Sequence, residues 1–237
     1  RYDLAEGSIL PRVAGTLRAV AVSTQTDITT FAELNEATAN GEINWGNQGP
    51  ATTSAINAKA LAALGGDEVF SVDNYLNNAV TTNGRGEEYT AVQRGDIQVM
   101  SGSYSSLLEF QQAGDIRFVL LYNNEESLPS EVGNSDCATF ATSSIEIQNT
   151  DQIQAVSGGP FHRIFAGPPG LSDEIHSYWC DKITQAIQSD HYQEQAEEAD
   201  RPITYGDCET AAEGVQQTIE TYQNNTDLLR EIGLIQE

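Results

Sequence analysis

The chain predicts an α/β fold with a mainly parallel sheet, and three observations carry that reading. Short strand-like runs alternate with helical ones through the first half of the 237 residues. At two places, residues 43–53 and 97–104, a strand runs through a turn of small residues straight into a helix. The hydrophobic share of 39% is enough to cover both faces of such a sheet.

The elements follow in order. Residues 16–23 alternate apolar with polar or small side chains and read as a strand. Thr30 and Glu33 form a capping-box pattern that opens a helix ending at Asn40-Gly41. Residues 43–46 give the next strand, residues 51–64 an alanine-rich helix closed by Gly65-Gly66, and residues 69–72 a short strand. A helix from Gly86 to Arg94 leads into strand 97–100, helix 104–113 ends at Gly114, and residues 116–122 form another apolar strand. The polar segment 123–160 suggests extended structure only at 137–148. Residues 163–166 are strand-like and enter Gly167-Pro168-Pro169-Gly170, a rigid turn that sets the chain direction. Ser172 caps a helix with Ile175, Trp179, Ile183 and Ile187 at four-residue spacing. A final helix, 208–231, carries Val215, Ile219, Tyr222 and Leu229. Both apolar stripes read as core faces.

The turn at 43–53 has the makings of an anion site. Glycine lets the backbone approach a ligand, Pro50 suits a first helical position, and the next amides point outward from the positive end of the helix. Its spacing is neither the GxGxxG of a dinucleotide fold nor a phosphate loop, which needs Lys after its last Gly. A plain strand-to-helix connection without a ligand fits the same residues. Ligands of open α/β sheets sit at the carboxyl ends of strands, where both small-residue turns lie.

Acidic residues number 35 against 11 basic ones, for a net charge of −24, and only Lys59 and Lys182 are lysines. Nucleic acid is therefore excluded as a partner class. The acids are spread through periodic apolar sequence and do not gather in a tail, so the chain reads as folded and halophilic: hydrated in molar salt, where the Debye length shrinks to about 3 Å. Cys137, Cys180 and Cys208 form no CxxC and no zinc spacing, and allow at most one disulfide. No apolar run of about 18 residues suggests a membrane span. The chain opens Arg1-Tyr2-Asp3 without Met, as expected of a processed or truncated product.

Five segments together resemble one family. Residues 30–34 followed by 43–49, then Gln93-Arg94-Gly95-Asp96-Ile97-Gln98-Val99-Met100, Ala113-Gly114-Asp115-Ile116-Arg117-Phe118-Val119-Leu120, and Ala166-Gly167-Pro168-Pro169-Gly170-Leu171 are similar to motifs of the TctC or Bug receptors of tripartite tricarboxylate transporters. They occur in the family's order across nearly the whole chain. The resemblance implies a two-lobed type II periplasmic-binding-protein fold that closes on its ligand, with lobe one incomplete because the family's N-terminal segment has no counterpart. Lobe two would be 19–165, and residues 1–18 with 166–237 the returning part of lobe one.

By the same resemblance, the ligand is a small di- or tricarboxylate, bound outside the cytoplasm by a monomer and passed to membrane transporter subunits. Asn47, Gln48, Gly49, Ala51, Thr52 and Thr53 would hold one carboxylate through turn amides and threonine hydroxyls, with Ser101, Ser103 and Tyr104 lining the neighbouring turn. Asn47-Gln48 and Ser101-Gly102-Ser103 depart from the family's usual residues, which bears on ligand identity. No cofactor, metal or catalytic residue is implied, and no Arg or Lys is needed, since aligned amides and a helix dipole suffice.

Three rival readings remain. An enzyme lacks support: no GxSxG elbow exists, Cys180 falls within a helix, and His162, His176 and His191 are scattered. A sensory domain would carry a DNA-binding helix pair or signalling linker. A binding protein for amino acids, sugars or phosphonates would share the fold. Glu194, Glu197, Glu198 and Asp200 read as a solvated acidic face, and Asn224-Asn225-Thr226 as a chance sequon.

Overall fold

Strand β2 (Arg18–Ser23) is buried at every position, and its alternating side chains divide the core in two. Val20 and Val22 face one hydrophobic cluster, Ala19 and Ala21 the other. That is the signature of a central strand covered on both faces. A computed structural model describes residues 6–157, 161–198 and 203–235. Its contacts fall into two compact units, residues 17–159 with 225–237, and residues 1–16 with 160–224.

In the larger unit a six-stranded sheet has the order β4-β3-β5-β2-β6-β7. The strands other than β2 are β3 (Trp45–Asn47), β4 (Ala79–Thr81), β5 (Val99–Ser103), β6 (Ile116–Leu121) and β7 (Ala138–Thr139). Helices α1 (Phe31–Asn40), α2 (Thr53–Leu64) and α3 (Val72–Asn77) supply Phe31, Leu34, Leu61 and Tyr75 to the first cluster. Helices α4 (Arg85–Arg94) and α5 (Tyr104–Gln112) supply Val92, Leu107 and Leu108 to the second. Helix α6 (Thr150–Val156) adds Ile153 to the first.

Five of the six strands run in the same direction, so the sheet is mainly parallel as expected, with β2 as the exception. β2 runs antiparallel to both neighbours, whereas β3 is parallel to β4 and β5, and β6 to β7. The chain enters β2 directly from the smaller unit, without the helical crossover that would set it parallel to a neighbour.

The capping box at α1 forms as expected. The Glu33 amide donates to Thr30 Oγ1 at 3.2 Å, and Glu33 Oε2 accepts from the amides of Thr30 and Thr29 at 3.0 and 2.7 Å. Those bonds pull the Glu33 carboxyl below its ordinary range, the Thr29 amide acting most strongly. Thr30→Ala is expected to cost about 1 kcal/mol in urea unfolding, and an unchanged midpoint would show that the cap is dispensable.

Residues 69–72 form no strand. Ser71 and Asn74 make a second reciprocal cap, with the Asn74 amide on Ser71 Oγ at 3.1 Å and the Ser71 amide on Asn74 Oδ1 at 2.9 Å, so the chain turns into α3. Extended structure at 137–148 shrinks to the two residues of β7.

The smaller unit pairs β1 (Ser8–Thr16) antiparallel with β8 (Phe161–Gly167), and carries helices α7 (Asp173–Ile187), α8 (Asp190–Glu198) and α9 (Cys208–Asn224). The expected final helix 208–231 breaks at Asn225, whose φ of −111° and ψ of 23° are not helical, and resumes as α10 (Thr226–Glu231). Leu229 and Ile232 are buried, and Asn225 Oδ1 accepts from Gln152 Nε2, which is why residues 225–237 group with the larger unit and not with 166–224. The stripe on α7 is no core face either: Ile175 and Trp179 are each 48% exposed, and only Ile187 of that helix is buried. Asp200 of the acidic cluster lies outside the described residues; Glu194, Glu197 and Glu198 fall on α8, which buries nothing.

Candidate functional site

Three parallel strands of the larger unit end at one edge of the sheet, and each is followed by a helix. Trp45 pairs with Ala79 and with Val99, so the ends of β3, β4 and β5 lie side by side. From these ends the chain passes to α2, α4 and α5, whose N-termini open at Thr53, Arg85 and Tyr104. Three positive helix ends are thereby gathered on a chain of net charge −24.

The 47–53 turn is held from within. Buried Asn47 accepts at Oδ1 from the Gly49 amide at 2.9 Å and from Thr81 Oγ1 at 3.1 Å, an Asx turn that ties β3 to β4. Gly49 adopts φ +135°, open to glycine and strained for any other residue. The Thr52 amide and hydroxyl both donate to the Gly49 carbonyl, at 3.2 and 2.8 Å. The amides of Gly49 and Thr52 and the Thr52 proton are thus committed inside the turn. The amides of Gln48, Ala51 and Thr53 make no hydrogen bond among the described residues, nor does the Thr53 hydroxyl.

The second turn is also internally bonded. Ser101 is fully buried and its hydroxyl donates to the Ser54 carbonyl at 2.9 Å, joining β5 to the first turn of α2. Ser103 Oγ donates to Ser106 Oγ at 3.0 Å. Tyr104 packs on Phe118 with ring centroids 4.9 Å apart, and its buried hydroxyl has no hydrogen-bond partner among the described residues. Burial pushes the Tyr104 pKa up to about 12, so the phenol remains a neutral donor. The structure therefore brings the two turns together through Ser101 and Ser54, while most of their hydroxyls brace the scaffold.

Sequence reasoning missed the charged groups at this edge. Arg85, the first residue of α4, donates from Nη1 to Glu88 Oε2 at 2.9 Å and from Nη2 to the Ser101 carbonyl at 3.1 Å. Gln48 Nε2 donates to the same Glu88 oxygen at 2.9 Å. Glu88 is fully buried; burial raises its carboxyl above the usual range, with Arg85 and Gln48 opposing the rise. Lys59, also buried, donates from Nζ to the Pro50 carbonyl at 3.2 Å, behind the turn. The missed signal was Thr82-Asn83-Gly84 before α4, a turn after a strand too short to register.

The smaller unit holds a different cluster. Cys180 and Cys208 form a disulfide, and His176 lies beside Cys180, with Nδ1 at 3.7 Å and Nε2 on the Ile9 carbonyl at 2.8 Å. The three ligand atoms lie within 4.8 Å of one another, but both sulfurs are spent in the disulfide, so the group does not suit a metal. A groove of about 1100 Å³ beside it is lined by Glu209, Glu213 and Glu220, the wrong sign for a carboxylate. Cys137, buried and free, has its thiol pushed up to about 12 by burial and is not a nucleophile.

No known family model and no curated protein matches the chain by sequence. Solved structures do. A TctC solute-binding protein from Polaromonas, without ligand, aligns with a TM-score of 0.64 at 15% identity, over 95% of this chain and 70% of its own. The fold is that of the TctC and Bug solute-binding proteins. An R. palustris protein with adipate shares this fold at a TM-score of 0.67 and 15% identity, over 98% of this chain and 71% of its own. MatC from Rhodopseudomonas palustris, with bound malate, aligns at 0.65 and 13%, over 94% and 69%. The TctC-type fold accounts for the α/β architecture described above.

Proposed function

We propose that the chain is a member of the TctC/Bug family: an extracytoplasmic solute-binding protein that captures a small di- or tricarboxylate and delivers it to a tripartite tricarboxylate-type transporter, as a monomer and without chemistry. The observation that carries this reading is the row of three strand ends opening into helix N-termini, with the amides of Ala51 and Thr53 unengaged at the first. That is a place for a carboxylate. Neighbours of the same fold with adipate or malate bound support the ligand class. The larger unit would be lobe two, the smaller the returning part of lobe one. Among the described residues no helix is long and apolar enough to cross a membrane, in keeping with a receptor that meets its transporter from outside.

In this site the Ala51 and Thr53 amides and the Thr53 hydroxyl receive one carboxylate, while Asn47, Thr52 and Ser101 hold the turns in shape. Halophily follows from the charge: in brine, screening removes long-range repulsion between a −24 surface and an anionic ligand, leaving contacts at the turn to decide affinity.

Differential scanning fluorimetry in molar KCl against malate, adipate and citrate tests the reading, with amino acids and sugars as the contrast. A rise in melting temperature with carboxylates alone is expected. Stabilisation by amino acids or sugars instead would replace the ligand class. Gly49→Val forces a branched residue to φ +135° and is expected to weaken carboxylate binding roughly five- to hundredfold, the equivalent of a strain of about 1–3 kcal/mol. Unchanged affinity in that variant would remove the turn from the site.

A further inference from the structure

The sheet is shaped to accommodate Arg85 and Glu88. A Cβ at Gly102 would lie 2.5 Å from Arg85 Nη2, and one at Gly46 would lie 2.7 Å from Glu88 Oε1. Two neighbouring strands thus lack side chains where the pair crosses them. Stability alone gives a poor reason for this arrangement. Glu88 is fully buried, and its second oxygen, Oε1, has no hydrogen-bond partner among the described residues. A buried ion pair left incompletely bonded is on average no better than apolar packing of the same volume.

The guanidinium has capacity to spare. Its side chain is 26% exposed, and among the described residues it uses two of its five N–H groups, on Glu88 and Ser101. Gln48 of the 47–53 turn donates to the same Glu88 oxygen as Arg85, both at 2.9 Å, so their nitrogens lie within about 6 Å of each other. A cation therefore stands within about 6 Å of a side chain of the turn assigned to the first carboxylate.

We propose that Arg85 is the specificity-determining residue of this site, engaging the second carboxylate of a dicarboxylate ligand, and that Glu88 is the positioning residue that orients its guanidinium. The inference rests on the carboxylate-binding reading above. Two fixed bonds, to a carboxylate below and a strand carbonyl beside it, leave the remaining N–H groups oriented before the ligand arrives. Amides receive the first carboxylate, and the guanidinium selects ligands that carry a second.

Isothermal titration of malate and adipate, and of adipate monoamide, into the chain and its Arg85→Gln, Arg85→Lys and Glu88→Gln variants at one KCl concentration tests this. Arg85→Gln is expected to weaken the dicarboxylates at least tenfold while changing the monoamide less than threefold, with Arg85→Lys recovering part of the loss. Glu88→Gln exchanges the charged acceptor that orients Arg85 for a neutral one, so it should weaken the dicarboxylates, but by less than Arg85→Gln does, and change the monoamide less than threefold. A merely structural pair would lose binding equally in Arg85→Gln and Glu88→Gln, and for both ligand types; that result overturns the proposal. Should Arg85→Gln fail to fold, the unaltered chain decides in KCl above about 1 M, where long-range repulsion is screened: adipate must bind at least tenfold more tightly than its monoamide, and equal affinities overturn the proposal. If the unaltered chain binds none of these acids, the carboxylate reading falls too. If it binds them and Arg85→Gln binds as tightly, only the role of Arg85 falls.

Discussion

Replacing Trp45 with alanine is expected to destabilise the larger unit by about 3–5 kcal/mol, the range for removing a large buried aromatic. Trp45 is wholly buried, with its ring centroid 5.2 Å from that of Phe70 and 5.7 Å from that of Tyr75. Its indole nitrogen donates to Thr38 Oγ1 at 3.0 Å, and that hydroxyl donates in turn to the Leu34 carbonyl at 2.8 Å. Truncation would open a cavity among α1, α3 and the sheet and leave the buried Thr38 oxygen short of a donor. Because Trp45 begins the strand that delivers Asn47 to the site, carboxylate binding should weaken together with stability. Trp45→Phe should lose less, since most of the ring volume remains. Urea unfolding followed by far-ultraviolet circular dichroism checks this, and a loss below about 1 kcal/mol would mean that the core collapses around the gap.

The residues that build this region were legible because local signals and burial agree there. Strand β2, the boxed helix α1 and the helices α2 and α5 follow from alternation, caps and helical periodicity, and the structure buries the same faces. Failures occurred where a local pattern competes with a longer-range one. Val69, Phe70 and Val72 look like a strand, but Ser71 and Asn74 satisfy each other's amides and impose a helix start. β4 is three residues long and only partly buried, so it gave no periodic signal. Overlooking β4 concealed the third strand end and left Arg85 outside any element. The antiparallel setting of β2 depends on where the chain comes from, which no window of side chains encodes. At the site itself the turn positions were readable from Gly49 and Pro50, but not the division of labour among their hydrogen bonds. Asn47, Thr52 and Ser101 each have a hydrogen-bond partner within the protein.

The smaller unit shows the limit of periodicity most clearly. Four-residue spacing on α7 signalled an apolar stripe correctly, yet Phe165, Ile175, Tyr178 and Trp179 are each about half exposed, from 48% to 55%. A stripe reports what a helix can bury, not whether anything covers it. Similarity in fold extends over 98% of this chain but 71% of the adipate-bound neighbour, so the comparison structures contain further fold around the shared part.

With so little buried, the smaller unit should depend on its covalent cross-link. Ile9, Leu10, Ile187 and Ala211 are its buried apolar residues among those described. The Cys180–Cys208 disulfide joins α7 to the start of α9 across a sequence separation of 28, with Cα atoms 6.1 Å apart. Closing a loop of that length is worth about 3–4 kcal/mol in the chain-entropy account. For a unit of this size such a loss corresponds to roughly 12–30 °C in melting temperature. Reduction, or Cys180→Ser with Cys208→Ser, is therefore expected to split thermal unfolding into two steps. The early step should be seen by Trp179, which is 48% exposed in the smaller unit; the late one by Trp45, which is fully buried in the larger. Single-tryptophan variants monitored by fluorescence with and without reductant separate the two. Cys137 does not confuse the result, since its buried thiol lies in the larger unit and forms no disulfide. Coincident transitions under reducing conditions would show that packing and not the cross-link holds the smaller unit together. An early step seen by Trp179 alone would show that the larger unit keeps its fold without an intact smaller unit.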